Sequence, residues 1–186
     1  MSEPPRTSRL AEAARAAGGL AGVLAATVLA LAFVDAVPAW LVGEARDVRR
    51  VRTVGEAERR LRVRLVLPSY FPDTLAWPPR QVRFTLAPPG AAALHVDGRD
   101  GRPRVLLAET VAPGPLPERL LPTAAPLSET RVHLGAREAT LARVVGEDGE
   151  VWNEVAWEQG GRTLLLRSRG SIDELLRMAR SAREAQ

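Results

Sequence analysis

From Ala16 to Val34 the chain runs through nineteen residues without a charge (AAGGLAGVLAATVLALAFV), framed by Arg15 and Asp35. At about 1.5 Å per helical residue this run covers most of a hydrocarbon layer roughly 30 Å thick. No polar face interrupts it, whereas a helix lying on a globular core needs one. The apolar character resumes in Ala36 to Gly43, where Pro38 and Trp40 suit the interfacial exit of a tilted helix. The pattern predicts a short basic tail over residues 1–15 and one transmembrane helix over residues 16–43, in contact with a lipid bilayer. A cleaved signal peptide is the competing reading, with Arg6, Arg9 and Arg15 as leader and Val37-Pro38-Ala39 as the cut region. An apolar core longer than the usual ~7–15 residues favours an uncleaved anchor.

Beyond residue 52 the periods are those of a folded domain. Thr53-Val54-Gly55-Glu56 has the form of a capping box, which predicts a helix from about Val54 to Leu61. Val63, Leu65 and Leu67 then alternate with Arg62, Arg64 and Val66 in a short extended stretch, and a proline-bounded loop runs from Pro68 to Pro79. From Val82 the period is two: strands are expected at Gln81 to Leu86, Ala92 to Val96 and Arg104 to Glu109. Four more are expected at Thr130 to Leu134, Ala139 to Val145, Val151 to Trp157 and Arg162 to Arg167, separated by Gly- and Asp-bearing turns. Short connections favour antiparallel pairing. Ser171-Ile172-Asp173-Glu174 repeats the capping box, and Ile172, Leu175, Leu176 and Ala179 form the apolar stripe of a closing helix. The expected fold is α+β: an antiparallel sheet of about six to seven strands, covered by a short N-terminal and a C-terminal helix, preceded by the membrane helix. Residues 44–52 are read as a basic juxtamembrane linker and 53–186 as the domain.

Charge sharpens that division. All the basic residues are Arg, and the net +4 of the chain arises between Glu44 and Arg64, where eight Arg face four acids. Arg46, Arg49, Arg50 and Arg52 are candidate contacts to anionic headgroups, each worth about 1 kcal/mol near a membrane surface. Nucleic acid is excluded as a partner because no aromatic interleaves with this cluster between Trp40 and Tyr70. The Arg count on either side of the span favours a cytoplasmic C-terminus, but a long folded domain translocates largely regardless of its charge. The charge pattern alone therefore leaves the domain free to lie outside the cytoplasmic membrane.

The absence of Cys removes disulfides, thiolate metal sites and cysteine nucleophiles, and the absence of Lys removes Schiff-base chemistry. No Gly-x-Ser-x-Gly, Walker or His-Glu-x-x-His pattern occurs, so no enzyme activity and no cofactor is expected. His95 and His133 fall on the polar parity of their strands and are read as exposed. Two segments are candidates for binding a protein, peptide or lipid-like ligand. Tyr70, Phe71 and Trp77 gather three aromatics in one loop, to line a cleft or plug the end of the sheet. Ala112 to Leu127 is stiff with proline, and Leu116, Leu120 and Leu121 either enter a partner's groove or drape over the sheet.

The stretch Val54 to Trp77 (VGEAERRLRVRLVLPSYFPDTLAW), Trp157 with Gly160-Gly161 and Leu164 to Leu166, and the ending Ser171-Ile172-Asp173-Glu174-Leu175-Leu176 together resemble a bacterial extracytoplasmic domain of unknown function. That domain follows a single membrane helix in anti-sigma-factor-like and envelope-stress regulators. The resemblance covers roughly residues 53 to 184 and implies an antiparallel sheet with helices on one side, outside the cytoplasmic membrane, with no catalytic residue. The short tail ahead of the span holds no Cys or His for the zinc-binding module such regulators often carry. The expected function is a membrane-anchored binding or sensor domain, accessory to envelope signalling. A lipid- or lipoprotein-carrier-like module and a non-catalytic subunit of a membrane complex are the alternatives.

Overall fold

The computed structural model describes residues 47–184, which belong to one compact unit, residues 45–186. The expected membrane helix and its tail lie outside the described residues; among those described, no helix is long and apolar enough to cross a membrane. The architecture is α+β. Eight strands form an antiparallel sheet in the order β1-β3-β4-β5-β9-β8-β7-β6, and β2 and β10 pair separately. The strands are β1 (Val48–Val51), β2 (Val66–Pro68), β3 (Gln81–Thr85), β4 (Ala91–Asp97), β5 (Pro103–Thr110), β6 (Ala124–Leu134), β7 (Arg137–Gly146), β8 (Val151–Gln159), β9 (Arg162–Ser168) and β10 (Ala182–Glu184).

Both helices form where the caps place them. Thr53 Oγ1 accepts the Glu56 amide at the start of α1 (Val54–Leu61), and Ser171 Oγ accepts that of Glu174 at the start of α2 (Ile172–Arg180). Each bond satisfies an amide that the first helical turn leaves without a partner. Arg62 closes α1 in the left-handed conformation, φ 59°, with its N–H on the Glu58 carbonyl.

Alternation sorts the sheet into two faces. Val82, Phe84, Leu94, Leu107, Leu164, Leu166, Val155 and Trp157 share one face, and Ala57 and Leu61 of α1 and Leu175, Met178 and Ala179 of α2 pack on it. Side chains as large as Phe84, Leu94, Leu164 and Met178 are fully buried there, each contributing about 1.5–3 kcal/mol by leaving water. The β2–β10 pair joins this layer through Leu65, Val66 and Ala182. Glu109, on β5, fastens it: its Oε2 accepts the Val66 amide at 2.8 Å and its Oε1 lies 3.7 Å from Arg162 Nη1.

The opposite face carries a second, smaller core of Ala91, Ala93, Leu106, Ala108 and Leu120. Three alanines leave a shallow trough, and Leu120, fully buried on a single 3-10 turn (Glu118–Leu120), fills it. Polar bonds pin the same segment along its length: Thr163 Oγ1 to the Gly114 carbonyl, Arg83 to the Arg119 carbonyl and Arg167 to the Pro122 carbonyl.

Three expectations change. The main sheet has eight strands instead of six or seven, with two more in the small pair. Val48–Val51, expected as linker, is the edge strand β1, because Val48 and Val51 are half-buried against β3 while Arg49 and Arg50 stay in water. β6 begins at Ala124 instead of Thr130, since the proline-rich segment turns extended there and pairs with β7 through a bulge at Pro126/Ser128.

Candidate functional site

The second face supplies a pocket at its polar end. One row of directly paired residues crosses the sheet there: Gln81, His95, Leu106, Arg167, Glu154, Ala142 and Glu129. At the centre of this row Arg167 is almost fully buried. Its Nε donates to Glu154 Oε2 at 2.8 Å, its Nη2 lies 2.6 Å from the same oxygen, and its Nη1 reaches the Pro122 carbonyl at 3.1 Å. Such a charge-assisted fork fixes the guanidinium and holds the end of the strap 112–122 against the sheet.

Beside it, Arg169 lies over the Trp152 ring, 4.4 Å from guanidinium carbon to ring centroid, and pairs with Asp148. The β7–β8 turn brings Asp148 there. Gly146 leaves room at its foot: a Cβ on this residue would stand 2.8 Å from Asp148 Oδ1 and 3.2 Å from Trp152 Nε1. His95, Leu106, Pro122, Trp152, Arg167 and Arg169 line a cavity of about 260 Å³.

Two buried nitrogens at this pocket, His95 Nε2 and Arg169 Nε, have no hydrogen-bond partner. An unmet buried donor costs about 1–3 kcal/mol, so each is a standing preference for an incoming polar group. Burial pushes the His95 imidazole below its ordinary pKa of 6.5; Arg83 and Arg80 add to the shift and Asp97 opposes it. The neutral ring can therefore either donate or accept. The lining contains no hydroxyl or thiol; its ionisable side chains are His95, Arg167, Arg169 and the carboxylates Glu147 and Asp148. Among the described residues, no group of three or more His, Asp or Glu is placed to hold a metal ion.

This pocket was not legible as a site. His95 was expected to be exposed and is half-buried, because the strap 112–122 covers the face its parity assigned to solvent; His133 is exposed as expected. Arg167 and Glu154 look like surface residues until the register sets them side by side. Their opposite charges were the only sequence signal.

The aromatic loop is assembled only in part. Phe71 and Trp77 stack at 4.9 Å between centroids, with Trp77 48% exposed. Tyr70 sits apart under Arg177 of α2, 4.0 Å from its guanidinium carbon, and packs on the core with Phe71. Two of the three rings are thus partly buried on the core, and Trp77 is left half in solvent. Leu116, Leu120 and Leu121 lie against the small core, so the strap drapes over the sheet and Leu120 is withdrawn from any partner. Arg49 and Arg50 on β1 and Arg52 just after it are all exposed; Arg46 lies outside the described residues.

Comparison with protein-family models, with curated proteins and with solved structures gives no match.

Proposed function

We propose that the chain is a non-catalytic binding domain, anchored in the cytoplasmic membrane through residues 16–43 and held outside the cytoplasm, where it serves as an accessory or sensor in envelope signalling. The observation that carries the binding role is the pair of buried nitrogens without partners at the His95–Arg169 pocket. A cavity of about 260 Å³ takes a small end group instead of an acyl chain, and a polar acceptor facing Arg169 Nε would meet the unfilled donor. The anchor rests on the uncharged run Ala16 to Val34. Tethering raises the effective concentration of the pocket toward membrane-borne partners with no added contact.

The carrier alternative calls for an apolar cavity between sheet and helices. The middle of that layer is filled by Phe84, Leu94, Leu164, Leu166 and Leu175, and the cavity of about 570 Å³ at its edge, lined by Leu75, Val105, Ser168, Glu174 and Met178, is half-open and partly polar, a poorer fit to an acyl chain. The test has two arms. Full-length protein should resist carbonate extraction and be digested by protease added to spheroplasts; a carbonate-soluble, protected product refutes the anchored reading. In native mass spectrometry, a small polar adduct should accompany the parent chain and be lost in Arg169→Ala. A parent chain without adduct, under conditions that retain small ligands, refutes the binding role.

A further inference from the structure

The main sheet has two margins, and they differ. β1 is four residues long, and any antiparallel pairing of two β1 strands about a twofold through Arg49 or Arg50 sets like charges face to face. β6 is eleven residues long, and Ala125–Arg131 are all exposed. Among the described residues nothing pairs with its outer side. Such an edge is a template for another strand.

The sequence of β6 selects one partner. When two copies of a strand continue a sheet antiparallel, the twofold axis stands perpendicular to the sheet, and opposed residues lie on the same face. The axis must then pass through a residue. Centred on Glu129 it opposes two carboxylates; centred on Arg131 it opposes two guanidinium groups. Centred on Thr130 it sets Glu129 opposite Arg131 of the second copy twice, once on each side, and opposes Ser128 to Val132. Opposite charges directly across an antiparallel pair are favourable and like charges are not. The bulge at Pro126/Ser128, with Leu127 59% exposed, ends the regular ladder on one side. Buried Leu134 ends it on the other.

We infer that the chain forms a closed homodimer by antiparallel pairing of β6 with β6 of a second copy, in the single register centred on Thr130. Both copies keep their helices on the same side of the continuous sheet, because the axis preserves its faces. The contact uses the margin opposite β1 and leaves the His95–Arg169 pocket outside the paired strands.

The chain has no cysteine, so single substitutions report the register directly. In this arrangement two Thr130 residues face each other at about 4.5–5.5 Å between Cα atoms, inside disulfide range. Two Ser128 residues are separated by four residues of strand, roughly 13 Å, which is outside it. Full-length Thr130→Cys in native membranes should cross-link to a dimer under mild copper–phenanthroline oxidation, and Ser128→Cys should not. In sedimentation equilibrium of detergent-solubilised chain, Glu129→Arg should weaken the dimer at least about tenfold, and adding Arg131→Glu should restore it to within about threefold. Equal cross-linking at both positions, cross-linking at neither, or a Glu129→Arg chain that dimerises like the parent overturns the inference.

Discussion

Glu109 is 1% exposed near the C-terminal end of β5, where an ionised carboxylate persists only with partners. It holds the Val66 amide at 2.8 Å and lies beside Arg162, itself bonded to the Arg64 carbonyl at 2.7 Å. Because, among the described residues, β2 has β10 on one side and no strand on the other, the carboxylate supplies the acceptor that a neighbouring strand would. Replacing Glu109 by Ala strands a buried amide, at about 1–3 kcal/mol. It also withdraws the counter-charge of Arg162, and breaking a buried pair from one side costs about 3–5 kcal/mol in full. Arg162 keeps its carbonyl and is 15% exposed, so the lower part of that range applies and the expected loss is about 3–4 kcal/mol. Glu109→Gln retains an oxygen for Val66 and should lose about 1–2 kcal/mol. Urea unfolding of the 45–186 unit, followed by far-UV circular dichroism, measures both. With a slope of about 1–3 kcal/mol per molar urea, the Ala variant should lower the midpoint by about 1 M or more at unchanged slope. If both variants unfold within about 0.5 kcal/mol of the parent, or Gln costs as much as Ala, the carboxylate does not hold the β2 layer and this reasoning is refuted.

A fragment beginning at residue 45 should fold in soluble form, whereas one beginning at residue 53 lacks β1 and the partial burial of Val48 and Val51; calorimetry should show it less stable by about 2–3 kcal/mol. Arg62→Gly should stabilise the unit by about 0.5–1 kcal/mol in the same urea assay, because glycine enters the left-handed region that Arg62 occupies at φ 59° without the Cβ penalty. His95 makes stability depend on pH in a defined direction. Its folded pKa lies below the ordinary 6.5, chiefly through burial, so the unfolded chain takes up the proton first. The contribution is whole above about pH 6.5 and declines as pH falls through that value until the folded ring also protonates; His95→Gln should flatten this part of the stability–pH curve.

Local signals carried most of the fold. Two capping boxes placed both helices, and the strands from Val82 to Arg167 followed from alternation and turn residues, since each is written within a few consecutive positions. What escaped depends on residues far apart. β1 hides because Arg49 and Arg50 dominate a four-residue stretch whose valines matter only once β3 lies beside them. β2 and β10 are three residues each and pair across most of the domain. The pocket escaped for the same reason: His95, Arg167 and Trp152 lie on three strands, and only the register and the strap 112–122 bring them together around one cavity.

The order in which the strands pair has a bearing on biogenesis. Central β5 is flanked by β9, with Val105 opposite Ser168, and β2 waits for β10. These late partners leave the ribosome last, so the interior of the sheet cannot close while synthesis is under way. Until β9 arrives, β5 offers the apolar row Val105, Leu107 to any bystander, which makes the interval before release the time when a holding chaperone has most to do.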